Sequence, residues 1–163
     1  MRRHAQLPPV IVILSGLPGS GKTTLATGLR DRLADRGRAV ALLHSDDYRR
    51  RTYEQLYEAV AEGVEDDVAR PDVWLLDGTF ARREWRNRFY RLDDVREVWV
   101  RAPLETCLAR NRRRQDPVPD RGVESVAAEF DPPRADLVID TDELRVEASL
   151  DRLEAAVAGW LDG

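Results

Sequence analysis

Val10-Ile11-Val12-Ile13-Leu14-Ser15-Gly16-Leu17-Pro18-Gly19-Ser20-Gly21-Lys22-Thr23-Thr24 is the stretch that decides how this chain is read. Its first five residues form a continuous apolar run of strand length, rich in β-branched side chains, as a buried parallel strand requires. After Ser15, the eight residues Gly16–Thr23 match the spacing G-x-x-x-x-G-K-[ST]. Beyond them, Leu25, Leu29 and Leu33 recur at helical spacing over residues 23–34, and Gly37 reads as the stop. Strand, glycine loop and helix in that order turn backbone N–H groups and a helix N-terminus toward an anion. The glycines let the backbone curl around phosphate oxygens with no Cβ in the way. The plain alternative is a glycine-rich strand-to-helix turn with no ligand.

The choice of cation argues against that alternative. Lys22 is the only lysine; every other one of the 26 Lys and Arg residues is arginine. An ammonium on a flexible stem is a compact charge that can follow a moving phosphoryl group, whereas a guanidinium is bulkier and prefers fixed bidentate partners.

Strand and helix patterns alternate along the rest of the chain. Apolar strand signals lie at 39–43, 73–76, 95–100 and 137–139, and helical signals at 52–62, 82–91, 103–113, 123–130 and 146–161. Thr52 reads as a cap and Pro103 as a first helical residue. Leu150, Leu153, Val157 and Leu161 form the apolar face of the last helix. This alternation predicts an α/β fold, a parallel sheet with helices on both faces and ligands beyond the carboxyl ends of the strands. The 163 residues suit a single domain over 1–163, with a loose tail at 1–8 and a lid region near 110–130 around the Pro/Asp segment 116–120.

Composition narrows the function classes. A net charge of -4 with 34% charged residues gives no basic field for a polyanion, so nucleic acid is not the expected partner, although tRNA stays open. There is no apolar run long enough for a membrane span and no secretory leader pattern, and the single cysteine, Cys107, excludes an intramolecular disulfide; a cytoplasmic protein is expected. Cys107, beside Leu104 and Leu108, reads as a core residue. The composition does not speak to oligomeric state.

Three strand ends carry the candidate chemistry. Gly16, Leu17, Pro18, Gly19, Ser20, Gly21, Lys22, Thr23 and Thr24 make the nucleotide cradle, with Lys22 on the β and γ oxygens and the Thr23 hydroxyl on Mg²⁺. Asp77 ends the third strand in the Walker-B position and is the second candidate for Mg²⁺; capping the Gly78-Thr79 turn is its alternative role. Asp46 and Asp47 end the second strand, where a carboxylate can orient or deprotonate an acceptor hydroxyl; Asp46 is favoured, with N-capping as the alternative for either. His44 is a weaker candidate, because a lone histidine at a strand end is usually structural. Arginines cluster at 49–51, 82–83 and 110–114; Arg110 and Arg114 are candidates to close over ATP, and Arg49 with Asp47 to meet the acceptor. An Asn-Lys-x-Asp guanine-reading motif cannot exist with Lys22 the sole lysine, which favours ATP over GTP.

These residues resemble the small P-loop kinases over nearly the whole chain. Gly16-Leu17-Pro18-Gly19-Ser20-Gly21-Lys22-Thr23-Thr24, Leu43-His44-Ser45-Asp46-Asp47-Tyr48-Arg49 and Phe130-Asp131-Pro132-Pro133 with Leu137-Val138-Ile139-Asp140-Thr141-Asp142 are similar to adenylylsulfate kinases. The resemblance implies a three-layer fold with strand order 2-3-1-4-5, Asp46 as the catalytic carboxylate and Arg49 as a substrate contact. Cys107-Leu108-Ala109-Arg110-Asn111-Arg112-Arg113-Arg114 with Val118-Pro119, Glu129-Phe130-Asp131-Pro132-Pro133 and Asp77-Gly78-Thr79-Phe80 resemble the lid and strand end of O-phosphoseryl-tRNA kinases. The expected activity is an ATP- and Mg²⁺-dependent transfer of the γ-phosphate to a hydroxyl of a small molecule. An RNA kinase and an ATP-binding regulatory protein with little transfer activity are the alternatives.

Overall fold

In the computed structural model, which describes residues 9–66, 68–92 and 94–163, the strand signals become five parallel strands. They are β1 Val10–Ser15, β2 Val40–His44, β3 Val73–Gly78, β4 Asp94–Arg101 and β5 Leu137–Asp140. Their spatial order is β2-β3-β1-β4-β5, as the resemblance implies. β1 is central and buried at every residue, which is why its sequence is apolar without alternation. The expected tail at 1–8 lies outside the described residues.

Alternate β1 residues point to different cores. Val10, Val12 and Leu14 pack with Leu25, Leu29 and Leu33 of α1 (Lys22–Asp35) and with Leu150, Leu153 and Val157 of α6 (Val146–Asp162). Ile11 and Ile13 face Leu56 and Val60 of α2 (Thr52–Val64), together with Phe80 and Phe89. Two helical layers therefore sandwich the sheet. Gly37, at φ 82°, ends α1 by donating its N–H to the Ala34 carbonyl at 2.9 Å.

Some local expectations shift. The 82–91 signal becomes a short α3 (Arg83–Asn87) continued by a 3₁₀ turn, Arg88–Arg91. Thr52 is not a cap: Arg51 precedes α2 with φ 49°, and the Thr52 hydroxyl donates to the Tyr48 carbonyl instead. Pro103 lies one position before α4 (Leu104–Arg112), its carbonyl accepting from the Cys107 N–H at 3.0 Å. The helix expected at 123–130 begins earlier, as α5 (Asp120–Glu129). Between α4 and α5 the Pro/Asp segment is irregular but tied down. Buried Asn111 bonds both the N–H and the carbonyl of Val118, and Arg112 pairs with Asp120 at 2.6 Å.

Candidate active site

The loop between β1 and α1 needs its glycines for two separate reasons. Gly19 has φ 87°, and a Cβ there would meet the Cys107 carbonyl oxygen at 2.2 Å. Gly21 has φ 101° and opens α1 from the left-handed region. Neither place accepts a side chain without moving backbone. α4 thus lies directly against the loop, which accounts for the burial of Cys107; that burial pushes its thiol pKa up, as suits a core residue.

A cavity of about 310 Å³ opens over the helix end, lined by Gly19, Gly21, Lys22, Thr23, Arg110 and Arg114. Lys22 donates its ammonium to the Leu17 carbonyl at 3.2 Å. Burial lowers its pKa, and the carboxylates of Asp77 and Asp46 oppose that shift. Thr23 and Thr24 are exposed at the first turn.

Asp77 is the hub beneath this cavity. Its carboxylate is buried, and the sheet register sets it beside Leu14 of β1 and His44 of β2. One oxygen, Oδ2, accepts the Thr23 hydroxyl at 2.8 Å and lies 2.8 Å from His44 Nδ1. The two Mg²⁺ candidates, 54 positions apart in sequence, therefore touch. A hydroxyl and a carboxylate are the hard oxygen donors that Mg²⁺ takes alongside substrate phosphates and water, so the pair fits the ion. His44, the weaker candidate from sequence, is attached to this pair. Its signal was its place at the end of β2, level with Asp77.

Asp46 and Asp47 lie in a 3₁₀ turn, Ser45–Asp47, just beyond β2, and both are exposed. Asp46 Oδ2 is 3.8 Å from Arg114 Nη2, so the expected acid and one expected lid arginine meet across the cavity. Asp47 and Arg49 make no hydrogen bond or ion pair among the described residues. Neither is drawn into the Lys22 cluster.

Arg110 behaves differently from a free lid side chain. Its Nη1 donates to the Ser20 carbonyl at 3.2 Å and the Thr141 hydroxyl at 2.8 Å, and its Nη2 to the Thr141 carbonyl at 3.0 Å. Thr141 Oγ1 also bonds the Ser20 carbonyl at 2.6 Å. The phosphate loop is thereby clasped to the end of β5. From sequence, Thr141 figures only as part of the family-like stretch 137–142, with no role assigned to it; it lies one residue past β5.

Beside the acceptor end, Phe80 has φ 46° while fully buried. Its N–H donates to the Tyr53 hydroxyl at 2.9 Å, and its carbonyl accepts from Arg86 at 2.9 Å. Both bonds hold a conformation that an aromatic residue seldom adopts. Tyr53 also stacks on Trp85, with centroids 4.4 Å apart. Burial raises the Tyr53 pKa.

Known proteins share this plan. An AAA domain family model matches residues 11–133. The adenylyl-sulfate kinase of Paraburkholderia xenovorans is 32% identical over 162 residues, covering 89% of this chain and 90% of that enzyme. The mouse (Mus musculus) L-seryl-tRNA(Sec) kinase is 29% identical over 97 residues, 52% of this chain and 27% of that protein. The structure of the Mycobacterium tuberculosis APS kinase in complex with AMPPNP and APS superposes with a TM-score of 0.69, over 96% of this chain and 99% of that one. At 18% identity it bears on the fold alone. The chain belongs to the AAA domain family and is a P-loop kinase related to the adenylyl-sulfate kinases.

Proposed function

We propose that this kinase transfers the γ-phosphate of ATP, with Mg²⁺, to a hydroxyl of a small molecule, and that adenylyl sulfate is the first acceptor to test. The observation that carries the reading is the Thr23–Asp77 hydrogen bond at 2.8 Å beneath the glycine loop. It joins the two oxygen donors a nucleotide-bound cation needs at the foot of an anion cradle. The acceptor assignment is supported by 32% identity to an adenylyl-sulfate kinase over most of both chains.

In this reading the backbone amides of 19–24 hold the β-phosphate. Lys22 leaves the Leu17 carbonyl and bridges the β and γ oxygens. Thr23 and Asp77 hold Mg²⁺, which when bound supplies charge neutralisation on those oxygens. Asp46 accepts the proton of the acceptor hydroxyl as its oxygen bonds to the γ-phosphorus and the bond to the β–γ bridging oxygen breaks, leaving ADP. Arg114 adds positive charge beside the transferring group. Arg110 acts by fixing the loop through Ser20 and Thr141.

The test is ADP formation with adenylyl sulfate, nucleosides, sugars and seryl-tRNA as acceptors. Acceleration by adenylyl sulfate supports the reading. Acceleration by seryl-tRNA alone would replace it, an outcome motivated by the local match to the mouse enzyme. Steeply salt-dependent tRNA binding would accompany that second outcome, against a chain of net charge -4. No acceleration by any acceptor, with ATP bound, would favour a regulatory nucleotide binder.

A further inference from the structure

His44 closes β2 in extended backbone, at φ -103° and ψ 132°, immediately before the 3₁₀ turn that carries Asp46. The register of the parallel pair sets it level with Asp77 on β3. Its Nδ1 lies 2.8 Å from Asp77 Oδ2, the same oxygen that accepts the Thr23 hydroxyl at 2.8 Å. An ionised carboxylate only accepts, so Nδ1 carries the hydrogen of this bond.

Three elements thus meet on one carboxylate: Thr23 from the first turn of α1, His44 from the end of β2 and Asp77 from the end of β3. Two donors on one oxygen hold the plane of the group against rotation about its last torsion. Oδ1 accepts no hydrogen bond among the described residues, and it is the oxygen left to take a cation or a water bound to one. The Asp77 side chain is only 4% exposed, so little bulk water is present to orient it in place of His44.

The residue type suits this task. The other two buried acids among the described residues, Glu97 and Glu154, are paired with arginine. At Asp77 the chain spends one of its two histidines instead. A guanidinium is always charged and would offset the negative charge that a divalent cation needs. An imidazole gives the same hydrogen bond while neutral.

The strand ends are held together without this bond. A Cβ on Gly78 would come within 2.9 Å of the Ser45 Cβ, so the backbone just past His44 lies against the end of β3. The His44 side chain is 31% exposed. Its hydrogen bond orients a neighbour and does not close a core.

We propose that His44 is a positioning residue of the cation site: its Nδ1–H holds the Asp77 carboxylate in the plane in which Thr23 and Asp77 together take Mg²⁺. The inference rests on the reading of those two residues as the Mg²⁺ donors.

The test is isothermal titration of the whole chain with a non-hydrolysable ATP analogue, once in excess Mg²⁺ and once in excess EDTA. The ratio of the two affinities measures what the cation adds, with no turnover involved. His44→Ala is expected to lower that ratio by about tenfold, the lesser cost of losing an outer partner of a metal-binding group, and to leave the affinity in EDTA unchanged. His44→Asn is expected to restore most of the ratio, because its amide N–H branches from Cγ as the imidazole Nδ1–H does. Thermal melts without ligand verify that the variants fold. His44→Leu fills the place of the ring without a donor and repeats the alanine measurement should that variant melt early. An unchanged ratio in the donor-free variants would overturn the proposal and leave the Mg²⁺ reading of Thr23 and Asp77 standing. An equal loss in EDTA would also overturn it, by assigning His44 to the fold. An asparagine variant as poor as the alanine one would remove the hydrogen bond from its role. A wild-type ratio near one would refute the Mg²⁺ reading itself, and this proposal with it.

Discussion

The two sides of the cleft are built in different ways. On the donor side, Lys22, Thr23, Asp77 and Arg110 are each bonded to another part of the site, and Asp77 is buried. On the acceptor side, Asp46, Asp47 and Arg49 are exposed, and among the described residues the one ion pair that any of them makes is that of Asp46 with Arg114, at 3.8 Å. Under the proposed function, the donor side would be preorganised for a ligand whose triphosphate does not vary, and the more exposed acceptor side would take its final geometry with its substrate, as a site that discriminates by closure does.

Lys22→Ala is the harshest probe of that contrast. It should cut turnover by more than about a hundredfold, because a charge placed on a transferring phosphoryl group contributes roughly 3 kcal/mol or more. Steady-state rates within a few-fold of wild type would break the assignment. Lys22→Arg should be nearly as poor despite keeping the charge. Burial lowers the Lys22 pKa from 10.5, so the free enzyme loses its ammonium as pH rises through that depressed value. The alkaline limb of kcat/KM should accordingly fall below pH 10.5 and vanish in the arginine variant.

Asp46→Asn tests the acceptor side. It should lower kcat by about a hundredfold, at the low end of general-base contributions, with ATP affinity nearly unchanged. Equal losses in both, measured by single-turnover kinetics and nucleotide titration, would move Asp46 to the donor side.

Asp77→Asn should raise the Mg²⁺ concentration for half-maximal rate by at least about tenfold, because it removes the charge of an oxygen donor proposed to hold the ion, and loss of even an outer-shell partner costs about that much. A metal titration with unchanged midpoint would leave Asp77 a purely structural partner of Thr23 and His44. The smallest effect is the change in stability expected of Arg114→Ala. Its pair with Asp46 is largely exposed, so unfolding free energy should change by less than about 1 kcal/mol in denaturant melts.

How much the sequence disclosed follows the same division. The phosphate loop was readable because backbone geometry leaves few choices: a left-handed Gly19 against α4 and a left-handed Gly21 at the helix start demand glycine whatever surrounds them. The sheet was readable from continuous apolar runs, and its order from the family resemblance. Contacts between distant segments were not. The clasp of Arg110 and Thr141 on Ser20 spans up to 121 positions and rests on an arginine that looks, in one dimension, like its neighbours 112–114. Arg86 was hidden likewise: in a chain this rich in arginine, nothing local separates the buried guanidinium from the solvated ones beside it. Only the fold, by bringing Glu97 and the carbonyls of Phe80 and Asp131 to one place, gives it its burial.

A chain with one lysine has one ε-amine, and here it faces the nucleotide cavity. An acylating reagent selective for lysine amines therefore reports on a single place in the molecule. Its depressed pKa keeps more of that amine unprotonated near neutrality than an ordinary surface lysine would. A bound triphosphate should shield it. The label found on the peptide that contains Lys22 after brief labelling then reads site occupancy, with no engineered tag and no competing side chain of the same kind.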